Sequence, residues 1–169
     1  ERSHVWTPSE LRGAALFESG GPSKNGTMRA VELKRAGKTV STLDIYALLL
    51  KGDKSGDMKL VNEDVIYVPP VGPLVAISTG VRNPGIYELA KEEKLLDLIA
   101  MAGGFSNTAY NRKAAIRRIF DSQYTDHFEA DIADVEKMPE KNIPLNDGDL
   151  VSINSVIKMD SSVSISGAV

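Results

Sequence analysis

Val81-Arg82-Asn83-Pro84-Gly85-Ile86-Tyr87-Glu88-Leu89, followed by Leu95-Leu96-Asp97-Leu98-Ile99-Ala100-Met101-Ala102-Gly103-Gly104-Phe105, is the stretch on which the fold turns. Asn83-Pro84-Gly85 is a turn signal, because proline presets one corner and glycine accepts positive φ. Apolar residues alternate in Val75 to Ser78 before the turn and resume in Ile86 to Leu89 after it, so the two pieces read as a β-hairpin. Leu95, Leu96, Leu98, Ile99 and Ala102 share one face at helical spacing, which predicts a helix from Lys91 to Ala102. Gly103-Gly104 is a helix stop, since glycine takes the left-handed conformation without steric cost.

Working outward, Ala114 to Phe120 and Tyr124 to Ala130 predict strands, Ala133 to Lys137 a short helical turn, and Leu150 to Ile153 a closing strand. This order predicts an α+β plan, a small mixed sheet curled around one main helix. The same signals recur upstream. Leu11 to Gly21 (LRGAALFESGG) ends on a Gly-Gly pair 83 residues before the one at Gly103-Gly104. Leu60 to Val68 (LVNEDVIYV) matches Leu145 to Ile153 (LNDGDLVSI), with Asp64 and Asp149 85 residues apart. Val75 to Val81 (VAISTGV) matches Val163 to Val169 (VSISGAV) at an offset of 88. Three matches in one order predict a repeated unit.

The earlier copy reads as a helix from Ser9 to Phe17 opened by Pro8, a strand from Met28 to Lys34 and a second helix from Thr42 to Leu50, with no clear counterpart of Val75 to Leu89. Pro69-Pro70-Val71-Gly72-Pro73 continues neither helix nor central strand and predicts a short, stiff boundary. The expected division is 1–71, 72–160, and 161–169 as the opening strand of a further repeat in a longer protein. An orphan strand beside an incomplete sheet invites completion within the chain or exchange between chains.

Composition and failed motifs narrow the function. The chain has 169 residues, a net charge of -3 and no Cys. It therefore offers no basic field for nucleic acid, no disulfide scaffold and no thiolate zinc site. No apolar run approaches the roughly 20 residues of a membrane helix. Gly37-Lys38-Thr39 lacks the glycine a phosphate loop needs, since position 32 is Glu, and reads as a hairpin turn. Asp53, Ser55 and Asp57 alternate like a calcium loop, but Met58 stands where glycine is required. Asn146-Asp147-Gly148-Asp149 reads as a tight turn before a strand. His4 and His127 have no partner at metal spacing, and no Ser lies in a GxSxG context. The reading is non-catalytic, with no metal and no cofactor.

The run from Val81 to Leu89, with Leu95 to Phe105, resembles the SLBB domain, the soluble-ligand-binding β-grasp fold. Leu48-Leu49-Leu50-Lys51-Gly52-Asp53 and Asp64-Val65-Ile66-Tyr67-Val68-Pro69-Pro70 make the chain similar to bacterial polysaccharide biosynthesis and export proteins. In that pattern a glycine follows the first strand and an acidic residue comes next, where this chain has Thr79 and Gly80. The resemblance implies tandem β-grasp-like SLBB units on the periplasmic face of the bacterial outer membrane. It implies packing against other protomers of an export ring, with polysaccharide and an inner-membrane polysaccharide co-polymerase as further partners, and no cofactor. The alternative is a module that grips glycan directly. Its candidate contacts are Arg82, Asn83, Pro84, Gly85 and Tyr87 around the hairpin turn, with Asn107 and Tyr110 after the Gly-Gly pair. Other SLBB proteins bind cobalamin or sit in respiratory complexes, and nothing specific to those appears in this sequence.

Overall fold

The computed structural model describes residues 12–120 and 123–155. The fold is α+β. Helix α1 (Arg12–Glu18) is followed by strands β1 (Val31–Arg35) and β2 (Lys38–Leu43), helix α2 (Ile45–Lys51) and strand β3 (Val65–Tyr67). Strands β4 (Leu74–Ile77) and β5 (Gly85–Glu88) lead to helix α3 (Leu95–Met101). Strands β6 (Ala109–Phe120) and β7 (Gln123–Asp131), helix α4 (Ile132–Lys137) and strand β8 (Leu150–Ser155) complete the order. One sheet is ordered β2-β1-β3 and is antiparallel throughout. The other is ordered β5-β4-β8-β6-β7 and is mixed, because β4 and β8 run parallel.

The predicted hairpin is present, with Val75 opposite Tyr87 and Ile77 opposite Gly85. Alternation turns Val75 and Ile77 inward, where they join Leu95, Leu98, Ile99, Ile116 and Val151 in the larger core. A smaller core gathers Leu16, Val31, Leu43 and Ile45 beneath the three-stranded sheet. Two predicted helices start later than expected. α3 begins at Leu95, because Glu92 has positive φ and the Lys94 N–H is met by the Asp97 carboxylate at 2.9 Å. α2 begins at Ile45, because Asp44 caps it by accepting from the Ala47 N–H at 3.1 Å while Thr42 and Leu43 belong to β2. The predicted turn at Gly37 is real, with Ala36 and Gly37 both at positive φ between paired Arg35 and Lys38.

The repeat is deeper than its sequence matches. Gly20 donates to Phe17 and Gly21 to Leu16; 83 residues on, Gly103 donates to Ala100 and Gly104 to Ile99. Both helices thus close with the same paired bonds around left-handed glycines. Arg35 grips Asp64 with two hydrogen bonds of 2.8 and 2.9 Å, and Arg118 grips Asp149 with two of 2.9 and 2.8 Å. Each Asp also accepts from the backbone N–H three residues earlier, Val61 or Asn146. Each Arg lies two residues beyond a core residue on its strand, Leu33 or Ile116, so strand alternation aims it at the turn. Asp131 caps α4 through the Ala133 N–H as Asp44 caps α2, and the following Ile132 and Ile45 are fully buried.

Gly80 answers the departure at Thr79-Gly80. It has φ +71°, and a Cβ there would lie 2.5 Å from Ile153 Cβ. Thr79 meanwhile donates its hydroxyl to the Ile153 carbonyl at 2.9 Å. Glycine is needed one position later because that is where the chain brushes β8. Gly80→Ala is expected to lower the unfolding free energy by about 3 kcal/mol or more, measured by urea denaturation, from combined strain and overpacking.

The Arg35 guanidinium, helped by the Val61 N–H, holds the Asp64 carboxyl below its ordinary range. A depressed native pKa gives stability that is complete above the unfolded value near 3.9 and lost as pH falls through the native value. Arg35→Gln is therefore expected to cost most stability above about pH 4, with the gap to the native chain closing towards lower pH. Denaturation midpoints across that range check it; a gap that widens on acidification would contradict the assignment.

Candidate functional site

The outer face of the β4–β5 hairpin ought to be wet. Its inner face, carrying Val75 and Tyr87, packs on the core, and its outer face carries Ile86 and Glu88. Ile86 is 69% exposed, yet Glu88 is only 4% exposed. The earlier copy covers it. Oε1 of Glu88 accepts from Thr27 Oγ1 at 2.6 Å and from the Gly72 N–H at 2.8 Å, while Oε2 accepts from the Met28 N–H at 2.7 Å. The Glu88 N–H donates to the Tyr46 hydroxyl at 3.2 Å. One carboxylate thus ties together the loop before β1, the proline-rich connection and the hairpin.

Arg29 extends this joint. Its Nη2 donates to Glu93 Oε1 at 2.6 Å, its Nη1 points to Met101 Sδ at 3.3 Å, and its Nε faces Asp44 Oδ2 at 3.2 Å. Nε makes an ion pair there without hydrogen-bond alignment. The guanidinium carbon lies 4.8 Å from the centre of the Tyr46 ring, within cation–π range. Tyr46 meets Tyr87 edge to face, with centroids 6.4 Å apart. Burial, with a smaller contribution from Tyr46, raises the Tyr87 phenol above its ordinary value. Beside the joint lies a cleft of about 210 Å³, walled by Arg29, Asp44, Tyr46, Lys51, Glu93 and Asp97 among others. Its cations and anions face one another, so it carries no strong field of one sign.

The predicted contact residues lie elsewhere, along a rim at the hairpin turn. Arg82, Asn83, Pro84 and Gly85 are exposed. The Arg82 N–H donates to the Gly104 carbonyl and the Asn83 N–H to the Ala102 carbonyl, both at 3.0 Å. A Cβ on Gly103 would lie 2.8 Å from Asn83 Nδ2, so the hairpin turn rests directly on the glycine pair. Tyr87 is half-buried and donates its hydroxyl to the Asn83 carbonyl at 2.7 Å, which spends that hydroxyl on bracing the turn. Asn107 is exposed just past Phe105, which pairs with Val81. Tyr110 lies on β6, with its side chain outside the described residues. The structure therefore brings Arg82, Asn83, Pro84 and Gly85 onto one ledge beside Gly103-Gly104, with Tyr87 beneath it as a brace. His4 and the His127 side chain also lie outside the described residues.

Sequence reasoning missed the joint. Thr27 and Glu88 are 61 residues apart and belong to no local pattern. The one available signal is an acidic residue in a strand otherwise written Ile-Tyr-x-Leu.

Residues 74–124, from the first residue of β4 to the second of β7, match the family model for the SLBB domain. The match spans 51 of the 169 residues and is to a soluble-ligand-binding module of the β-grasp type. No curated protein matches the chain significantly.

Glu88→Gln leaves the shape but replaces an acceptor oxygen by a donor facing other donors. It is expected to cost about 1.5–3 kcal/mol, and Thr27→Val, which removes one of three donors, about 1 kcal/mol. Urea denaturation of the two variants checks the order; equal costs would mean that Glu88 does not gather the three bonds as a unit.

Proposed function

We propose that the chain is a non-catalytic module of a bacterial polysaccharide export protein, acting on the periplasmic side of the outer membrane and packing protomer against protomer. The observation that carries this reading is the joint. Two β-grasp-like copies, one of them matched by the SLBB family, are fixed to each other by buried Glu88 and by Arg29. The polar groups of that joint are spent on one another, which suits a rigid spacer rather than a reacting centre. The stiff connection Pro69 to Pro73 supports the same reading, and no described helix is long and apolar enough to cross a membrane. Packing against identical neighbours around a ring uses heterologous surfaces, where each single contact need not be strong.

A second reading is favoured by the exposed ledge. Arg82 and Asn83 offer donors beside a turn held open by glycine, an arrangement that suits hydroxyl-rich ligands. Amide chemical shifts of labelled protein, titrated with oligosaccharides of the host's own surface polysaccharide, separate the two. The packing reading expects no shifts at millimolar sugar, whereas shifts clustered on Arg82 to Tyr87 and Asn107 would establish the ledge as a glycan site. The export role is tested separately in the host, where Glu88→Gln in the full-length protein is expected to reduce surface polysaccharide. Undiminished surface polysaccharide, with the joint shown to be weakened, would remove that role.

A further inference from the structure

The sequence holds one Asn-Gly pair, Asn25-Gly26, and the fold places it in the seam between the copies. An asparagine before glycine is chemically vulnerable, because glycine has no Cβ to hinder attack of its nitrogen on the preceding side-chain amide. Here the pair forms part of a short ladder. The Val71 N–H donates to the Asn25 carbonyl at 2.9 Å, Gly26 faces Pro70, and the Thr27 N–H donates to the Pro69 carbonyl at 2.9 Å. The Gly26 N–H donates back to the Ser23 carbonyl at 2.9 Å. The peptide between Asn25 and Gly26 is thus held at its oxygen and at its hydrogen. Glycine is required at this point, since a Cβ on Gly26 would lie 2.8 Å from Val68 Cγ1. Packing therefore imposes the vulnerable pair, while the Asn25 residue itself is exposed.

The ladder is continuous with the joint. Thr27 and Met28, next along one side, donate to the Glu88 carboxylate, and Gly72, next along the other, donates to it as well. For the Gly26 nitrogen to reach Asn25 Cγ, it must lose its proton and swing away from Ser23, and the carbonyl must turn from Val71. Both bonds of that peptide resist this motion. While Glu88 holds the two sides together, the reacting atoms are kept apart. Local opening of the joint frees them without unfolding the later copy.

We propose that Asn25-Gly26 is a one-way modification site gated by the joint. When the joint opens, the Gly26 nitrogen attacks Asn25 Cγ. The N–Cγ bond forms, the Cγ–Nδ2 bond breaks, and ammonia leaves carrying the proton that the nitrogen gave up. Water then opens the resulting succinimide ring. Addition at Cγ leaves aspartate at position 25, and addition at the main-chain carbonyl leaves isoaspartate. Nothing is oxidised or reduced, and water is the only co-reactant. Isoaspartate routes the main chain through Cβ and Cγ, which lengthens it by one atom and removes the carbonyl that Val71 holds. Thr27 and Met28 then lose their register with Glu88, and the joint does not close again. The inference stands on the seam and not on an export role.

Peptide mapping by mass spectrometry follows loss of the Asn25 amide in the full-length chain and in Glu88→Gln, both held at mildly alkaline pH. Asn146, followed by Asp147 in the later copy, is the internal reference. Glu88→Gln is expected to speed conversion at Asn25 by about tenfold with Asn146 unchanged, because the rate follows the population of the open joint. Equal rates at Asn25 in the two chains would overturn the gate. If both sites speed up together, Glu88→Gln has unfolded the chain, and Thr27→Val, which removes one donor of three, decides. A smaller gain confined to Asn25 supports the gate, and no gain there overturns it. The chain carrying isoaspartate at position 25, once isolated, is expected to lose hydrogen-exchange protection at the Met28 and Gly72 amides. Retained protection would show that the joint closes again and overturn the one-way step. Surface polysaccharide levels in the host leave these results untouched, so the two readings fail separately.

Discussion

Glu88 brings a carboxylate into a site that is 4% exposed, on the face of a hairpin that its own sheet does not cover. Removing a carboxylate from water costs several kcal/mol even after relaxation, and only well-placed donors recover it. Three donors do so here, from Thr27, Met28 and Gly72, and all three come from outside the hairpin. The joint is therefore cooperative. Without the earlier copy in place the carboxylate would be hydrated and the hairpin face open. With it in place, the connection through Gly72 has a fixed course, because its N–H is one of the three donors. Arg29 then closes the same seam from the helix side, through Glu93 on one sheet's elements and Asp44 on the other's.

The bidentate pairs Arg35–Asp64 and Arg118–Asp149 solve a different problem, inside each copy. A short strand such as β3 or β8 is preceded by a turn whose N–H groups would otherwise be unmet, and the Asp satisfies one of them while the Arg orients the Asp. Asp149 is 1% exposed, so its negative charge needs the fork of Arg118 beside it. The copies keep this device while their core residues change.

That difference explains what could be read in advance. The hairpin at Pro84-Gly85, the helix ending in Gly103-Gly104 and the turn before Asp149 were legible because each depends on local chemistry with a fixed residue type. The two Gly-Gly stops were legible as a repeat for the same reason. The Arg pairs were not, because each Arg sits among other basic residues in an alternating strand and declares itself only when the turn 29 or 31 residues later folds against it. The start of α2 was misplaced by three residues because Thr42-Leu43-Asp44-Ile45 satisfies strand and helix patterns alike, and the Asp44 cap decides between them. The candidate rim was half legible. Arg82 and Asn83 do stand exposed together, whereas Tyr87 is committed to the Asn83 carbonyl and to Tyr46. The joint was illegible because its two sides are brought together only by tertiary packing.

The β4–β5 hairpin therefore has two duties, one on each face and edge. Through β4 it covers the edge of β8 and fills the core with Val75 and Ile77. Through the outer face of β5 it receives the preceding copy at Glu88.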